Sequence, residues 1–363
     1  MNKRKQQQWK QRILVLALVV GVVSLPVDWV KLGRDAACIA AGLRQPEGTV
    51  RLLDSHLFDP ALSQPENPVE SPLTDTREDS TRVDLPVLAP VTTPNITAIT
   101  PPGNKGTGGT VITRELTTGN RQKSGIATIN RSGKSVNIAP FLKKDLPFRF
   151  KDTKEPQVLI IHTHTTEGYM TYDAGYYNAG DRDRTKDHRK NVCAVGEAIR
   201  LTLEAQGITA IHDTTIHDNP QYTGAYTRSA TTAQGILEKY PSIQVVLDIH
   251  RDAVLENGAV VKPTATVNGR KAAQMMLITG VVSTDALPHP DWRDNLTLST
   301  HLQRALDQVS PDLMRPLNTV ASRYNQHLSP GWVLVEVGAE GNTVEEAVYS
   351  GQILARTLAD LLD

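Results

Sequence analysis

Three short stretches of this chain carry side chains that could do chemistry together. They are His162-Thr-His164-Thr-Thr-Glu167, Asp248-Ile-His250-Arg251-Asp252, and Glu336, an acid inside the apolar run Val333-Leu-Val-Glu-Val337. Two imidazoles and a carboxylate form the three-ligand set of a catalytic zinc, whose fourth position is left for water. His164 and Glu167, three residues apart, turn toward one ion if the chain bends just after its strand; His250 would arrive from a neighbouring strand end. A lone histidine at a strand end is commonly structural, and an acid in an apolar strand can be a paired core acid. Three such coincidences favour a metal hydrolase.

The elements that must position these residues are legible around them. Gln157-Val-Leu-Ile-Ile161 is a continuous apolar, β-branched run, the pattern of a strand buried on both faces of a parallel sheet. Residues 208–211, 244–249, 275–278 and 332–336 read as further strands. Asn191 to Gln206 places Val192, Val195, Ile199 and Leu203 on one helical face and is closed by Gly207. Arg293 to Val309 and Thr343 to Leu362 read as helices, the second opening on capping-box spacing, Thr343-Val-Glu-Glu346. Strands alternating with helices imply a three-layer α/β fold with a largely parallel central sheet, whose sites gather at the carboxyl ends of strands. The candidate residues stand where the strands stop.

Upstream, the composition changes. The chain has 363 residues, with Lys+Arg 39 against Asp+Glu 39, so no global field gathers nucleic acid. Two cysteines with no CxxC spacing make neither a disulfide scaffold nor a thiolate zinc site. Residues 1–12 are basic without an acid, and residues 13–30 are apolar except for Ser24 and Asp28, flanked by Trp9 and Trp29. At about 1.5 Å per residue this run approaches the roughly 30 Å of a bilayer core, which predicts a transmembrane anchor with the rest of the chain outside the cytoplasm. A cleaved signal peptide is the alternative, against which stands the missing small-x-small site. Residues 31–110 read as a Pro-rich disordered linker, with nine prolines from Pro60 to Pro102. Residues 111–154 are either a short β element or an entry segment, and the catalytic domain is expected over 155–363. Neither a G-x-S-x-G elbow nor a P-loop is present.

His162-Thr-His-Thr-Thr-Glu-Gly-Tyr169, Val245-Val-Leu-Asp-Ile-His-Arg-Asp-Ala253, Arg323-Tyr-Asn-Gln326 and Val333-Leu-Val-Glu-Val-Gly338 with Asn342-Thr-Val-Glu-Glu346 resemble the stage II sporulation protein P family. The resemblance covers about residues 155–363, and the basic start, single anchor and long linker also match it. It implies an amidase-like fold and a Zn2+-dependent N-acetylmuramoyl-L-alanine amidase that degrades peptidoglycan, in some members also as an endopeptidase, during forespore engulfment. It further implies work with stage II sporulation proteins D and M from the mother-cell membrane. Carried over by position, His250 is a zinc ligand and Glu336 the catalytic acid-base. His164 is expected as the second ligand with His162 in support. Glu167 is the nearest carboxylate for the third, with Asp187 and His188 as fallbacks.

Strand alternation then turns Arg251 away from His250 and returns Asp252 to its side, where it would orient an imidazole. Tyr226, Ser229 and Asn325 are substrate or scaffold contacts. His212, His217 and Asp218 form either a groove rim or a polar loop, and Cys193, between Val192 and Val195 on a helix, is expected as a small buried apolar residue. A membrane-tethered scaffold that grips glycan and recruits other hydrolases is the alternative to an enzyme.

Overall fold

A computed structural model of the chain describes residues 99–116, 120–121, 125–182 and 184–363. The expected basic segment, anchor and all but the last part of the linker lie outside the described residues. Among those described, no helix is long and apolar enough to cross a membrane.

The main sheet is built on the apolar strand β4 (Val158–Ile161). Its order is β2 (Asn120–Arg121), β3 (Ala127–Arg131), β12 (Leu317–Val320), β11 (Met275–Gly280), β13 (Trp332–Ala339), β7 (Val245–Asp252), β4 and β6 (Ala210–His212). Strands β13, β7, β4 and β6 are mutually parallel, and so are β3, β12 and β11; the two blocks run in opposite directions and meet at the antiparallel pair β11/β13. The sheet is thus largely parallel, as expected, with antiparallel pairs at β11/β13 and β2/β3, and the block that ends at the candidate residues is parallel throughout. Its three central strands stop on one edge, which is what brings their termini together.

Helices cover both faces. α1 (Val192–Glu204), α3 (Trp292–Val309) and α4 (Val344–Leu362) share one apolar core with Val158, Ile160, Leu247, Ile249, Val333 and Val335. α2 (Ala225–Lys239) packs through Ala233 on the other face, against Leu159, Ile161, Val246 and Trp332. Alternate residues of each strand thus serve alternate layers, as the strand period of two requires. Asn191 caps α1 by accepting from Cys193 N–H, and Thr343 and Glu346 form the predicted capping box of α4.

The segment of undecided role, 111–154, belongs to this body. β1 (Gly109–Arg114) joins a second sheet of order β10, β9, β1, β5, made with β9 (Ala259–Val267), β10 (Arg270–Ala273) and β5 (Tyr176–Tyr177), with the short β8 (Leu255–Glu256) also paired to β9, and β3 extends the main sheet beside β12. The end of the linker is also fastened, Lys105 N–H donating to Asn178 Oδ1 at 2.8 Å. The body thus begins well before residue 155.

Just past Glu336 the β13/β7 register shifts, a bulge made at Gly338, whose φ is +68°. A Cβ there would meet Asn342 Oδ1 at 2.5 Å and Ala273 Cβ at 2.8 Å. Asn342 accepts from Ala339 N–H and donates to Glu346, so the bulge and the start of α4 are one hydrogen-bonded unit. Gly338→Ala is expected to lose at least about 1–2 kcal/mol, the usual penalty of a left-handed non-glycine residue. A denaturant midpoint unchanged from the parent would contradict this role for the bulge.

Candidate metal centre

β4 ends at Ile161 and the chain bends, with Glu167 N–H donating to His164 O at 3.0 Å. The turn folds His164 and Glu167 to one side, as their spacing required. His250 reaches them from the end of β7, and on β13 Glu336 is the register partner of His250. The ligand atoms of His164, Glu167 and His250 all lie within 4.8 Å of one another, and the three side chains are buried.

The Glu167 carboxylate is the centre of this geometry. Nδ1 of His164 is 3.3 Å from its Oε1, and Nδ1 of His250 is 3.3 Å from its Oε2. Arg251 N–H donates to Oε2 at 3.0 Å, and Arg184 Nη2 lies 3.4 Å from Oε1. Burial would raise a carboxyl here, but the two imidazoles hold Glu167 well below the usual carboxylate range. The same pairing works in reverse on His250: burial would lower it, yet the Asp248 and Glu167 carboxylates hold it well above the usual imidazole range. Its Nε2 sits 3.0 Å from Asp248 Oδ1, an ionic contact and not an aligned hydrogen bond.

The carboxylate that orients an imidazole is Asp248, not Asp252 as strand alternation suggests. Asp252 instead pairs with Arg315 Nη1 at 2.7 Å and accepts from Ala253 N–H. Asp248, fully buried, holds His250 while accepting from Thr163 N–H at 2.9 Å and Thr163 Oγ1 at 2.8 Å, which ties β7 to the β4 turn. A charged residue two positions before His250 in an apolar strand was the signal for it, since period two puts both on one face. An imidazole whose far nitrogen faces a carboxylate is also the usual outer arrangement of a metal-binding histidine.

Glu336 is 5% exposed and its Oε2 has no hydrogen-bond partner. Burial first, then the Asp252 carboxylate, push its carboxyl well above the usual range. It is not a paired core acid. A buried, unpartnered carboxyl of this kind is suited to taking and returning a proton.

The remaining expected residues fall into two groups. Tyr226 stands against both rings, its centroid 5.4 Å from that of His164 and 6.4 Å from that of His250. Ser229 Oγ lies 2.8 Å from Thr163 Oγ1, and Asn325, at φ 61°, donates to Ser229 Oγ and Tyr226 O. These two brace the wall that carries Tyr226. Arg251 turns from His250 as expected and donates through Nε to Gly168 O, while its Nη1 reaches Glu340.

Other expectations are corrected. His162 does not support His164: it continues β4 toward the α1 layer, where Nδ1 meets Ile249 O and Nε2 meets His212. Burial, and then the His212 ring, push it down to about 3. Asp187 is engaged by Arg189, and His188 is exposed, so neither fallback reaches the centre. His217 and Asp218 are no groove rim, being buried under the turn, with His217 Nδ1 at His162 O and Asp218 accepting from Thr166. Two further residues close the mouth without any signal in sequence: Tyr222 stacks on His164 at 4.5 Å, and Arg184 lies over Tyr222 at 4.7 Å while pairing with Asp218.

With this geometry in view, the sequence pattern of stage II sporulation protein P (SpoIIP) matches residues 109–359. The chain belongs to the stage II sporulation protein P family. A curated relative, stage II sporulation protein P of Bacillus subtilis (strain 168), is 26% identical over 230 residues, covering 60% of this chain and 54% of the relative. The chain therefore spans about half the length of the curated relative it matches. Among solved structures it is similar to the CwlD amidase from Clostridioides difficile in complex with the GerS lipoprotein. That likeness has 14% identity and a TM-score of 0.35, covering 56% of this chain and 94% of that one. It is also similar to N-acetylmuramoyl-L-alanine amidase AmiC2 of Nostoc punctiforme, with 14% identity, 57% and 94% coverage, and a TM-score of 0.33.

Removing Asp248 would leave Thr163 N–H and Oγ1 without their acceptor and take from buried His250 the ionic partner of its Nε2. Asp248→Ala is expected to cost about 3 to 5 kcal/mol, the range for breaking a buried charged pair. A loss under about 1 kcal/mol in denaturant unfolding would show that the network is not holding β7 to β4.

Proposed function

We propose that this protein is a zinc-dependent N-acetylmuramoyl-L-alanine amidase that hydrolyses the bond between muramic acid and the stem L-alanine of peptidoglycan. The reading is supported by family membership and by one observation above all: Glu167 is flanked by Nδ1 of His164 and of His250, with the unpartnered Glu336 on the adjoining strand. The donor set of two imidazoles and a carboxylate suits zinc and leaves room for a fourth partner. His164, Glu167 and His250 would hold the ion. Zinc bound there would polarise the amide carbonyl and acidify a water molecule.

The chain's own groups do the rest. Glu336 takes a proton from the attacking water and returns it to the departing L-alanine nitrogen, which its buried, partner-free oxygen and raised carboxyl suit it to do. Asp248 fixes the His250 ring, and Arg251 N–H fixes one oxygen of Glu167. Tyr226 and Tyr222 wall the histidine rings.

The wider setting is part of the same proposal. The basic segment and apolar run at residues 13–30 anchor the chain with its domain outside the cytoplasm, and the linker lets that domain reach the wall. There it acts in sporulation with stage II sporulation proteins D and M.

Digestion of purified peptidoglycan by the full chain, read by mass spectrometry, tests the bond. Free stem peptides that begin with an L-alanine amine, lost on chelation, are expected; shortened or uncrosslinked muropeptides alone would reassign the bond cleaved. Glu336→Gln is expected to keep its zinc and lower peptide release by about two to four decades. His250→Ala is expected to lose zinc, and a variant retaining it in full would sink the ligand assignment.

A further inference from the structure

A second cluster of metal-ligand types stands outside this centre, in the layer on the α1 side of the sheet. His162 at the end of β4, His212 at the end of β6 and Cys193 in the first turn of α1 each offer a donor atom, all within 4.8 Å of one another. His162 and Cys193 are buried, and the His212 side chain is 5% exposed. The Nε2 atoms of the two rings face each other at 2.9 Å.

The outer nitrogens make that approach unusual. His162 Nδ1 lies 3.0 Å from Ile249 O, a carbonyl that only accepts, so this nitrogen carries a hydrogen. His212 Nδ1 lies 3.2 Å from Glu197 Oε2. Arg200 holds the Glu197 carboxyl down to about 2, so it too accepts. With hydrogen on both Nδ1 atoms, neutral rings would point two lone pairs at each other. Something positive belongs between them.

Three features point to a metal ion. A histidine that ligates a metal usually donates its other nitrogen to a carbonyl or a carboxylate, and here one ring has each. α1 is open at this spot: a Cβ on Gly196 would meet His212 Nε2 at 2.5 Å and His162 Nε2 at 2.7 Å, so the helix carries glycine there despite its poor helix propensity. Carboxylates also stand close by: Asp213 and Asp218 act on the Cys193 thiol, and Asp213 Oδ2 is enclosed without a hydrogen-bond partner, 3.9 Å from His217 Nε2.

We propose that His162, His212 and Cys193 form a second transition-metal site, of zinc type by its imidazole and thiolate donors, which fastens the end of β4 two residues before His164. On binding, the Cys193 S–H bond gives up its proton to solvent and any proton shared between the rings leaves with it; no electron is transferred. Burial pushes the free thiol up to about 12, and the ion supplies the positive charge that reverses this.

Cobalt substitution tests the site, because thiolate ligation gives Co2+ a sulfur-to-metal charge-transfer band that imidazole and carboxylate ligands do not. The full chain loaded with Co2+ is expected to show the band. Cys193→Ser should abolish it and lose about one metal equivalent relative to the parent, and His212→Ala should do the same. Cys38→Ser should keep it, excluding the other cysteine. His250→Ala should lose a metal yet retain the band, so failure of the catalytic centre and failure of this site read differently. Absence of the band from the folded parent, or its persistence in Cys193→Ser, would overturn the proposal and leave an imidazole pair sharing a proton only.

Discussion

A carboxylate almost wholly out of water, Glu167, sets the terms for everything at this sheet edge. A buried charge is costly unless paired and hydrogen-bonded, and the neighbouring elements supply the partners. The turn after β4 brings His164, the end of β7 brings His250 and the Arg251 N–H, and the segment before α1 brings Arg184. Without the parallel block β13, β7, β4, whose strands stop together, these groups would not meet. The proposed zinc fits this same demand for positive charge between two imidazoles and a carboxylate.

Charge is graded across three neighbouring carboxyls, and the gradient separates their roles. Glu167 and Asp248 are held ionised by imidazoles, while Glu336 is pushed toward its neutral form, first by burial and then by the Asp252 carboxylate. Two acids fixed as charges beside a third free to exchange a proton is a division of labour that suits the metal-assisted hydrolysis proposed for this site. It rests on strand register, since Glu336 and His250 are partners across β13 and β7 and the bulge at Gly338 follows at once.

Much of this was legible in sequence because it depends on local patterns. The apolar runs of β4, β7 and β13, the amphipathic α1 closed by Gly207 at φ +79°, and the α4 capping box are each written within a few residues. The second sheet was not, because β9 carries Lys262 and Pro263 and is held by pairing with β1, some 150 residues earlier in the chain. Nor was α2, whose sequence is rich in Thr and Ser and buries few side chains. In the site, His162 was expected beside His164, although strand alternation sends it with Ile160 to the opposite layer. Arg184 and Tyr222 were invisible because only the folded loops bring them over His164.

The central claim is that one buried carboxylate and two imidazoles from β4 and β7 hold the reacting metal beside Glu336. Crystals of the full chain grown with zinc and measured on both sides of the zinc absorption edge address it directly. The account predicts an anomalous peak bounded by His164 Nδ1, Glu167 and His250 Nδ1, on the face that Glu336 shares. A zinc-loaded, hydrolytically active crystal form with no peak at that position would contradict it.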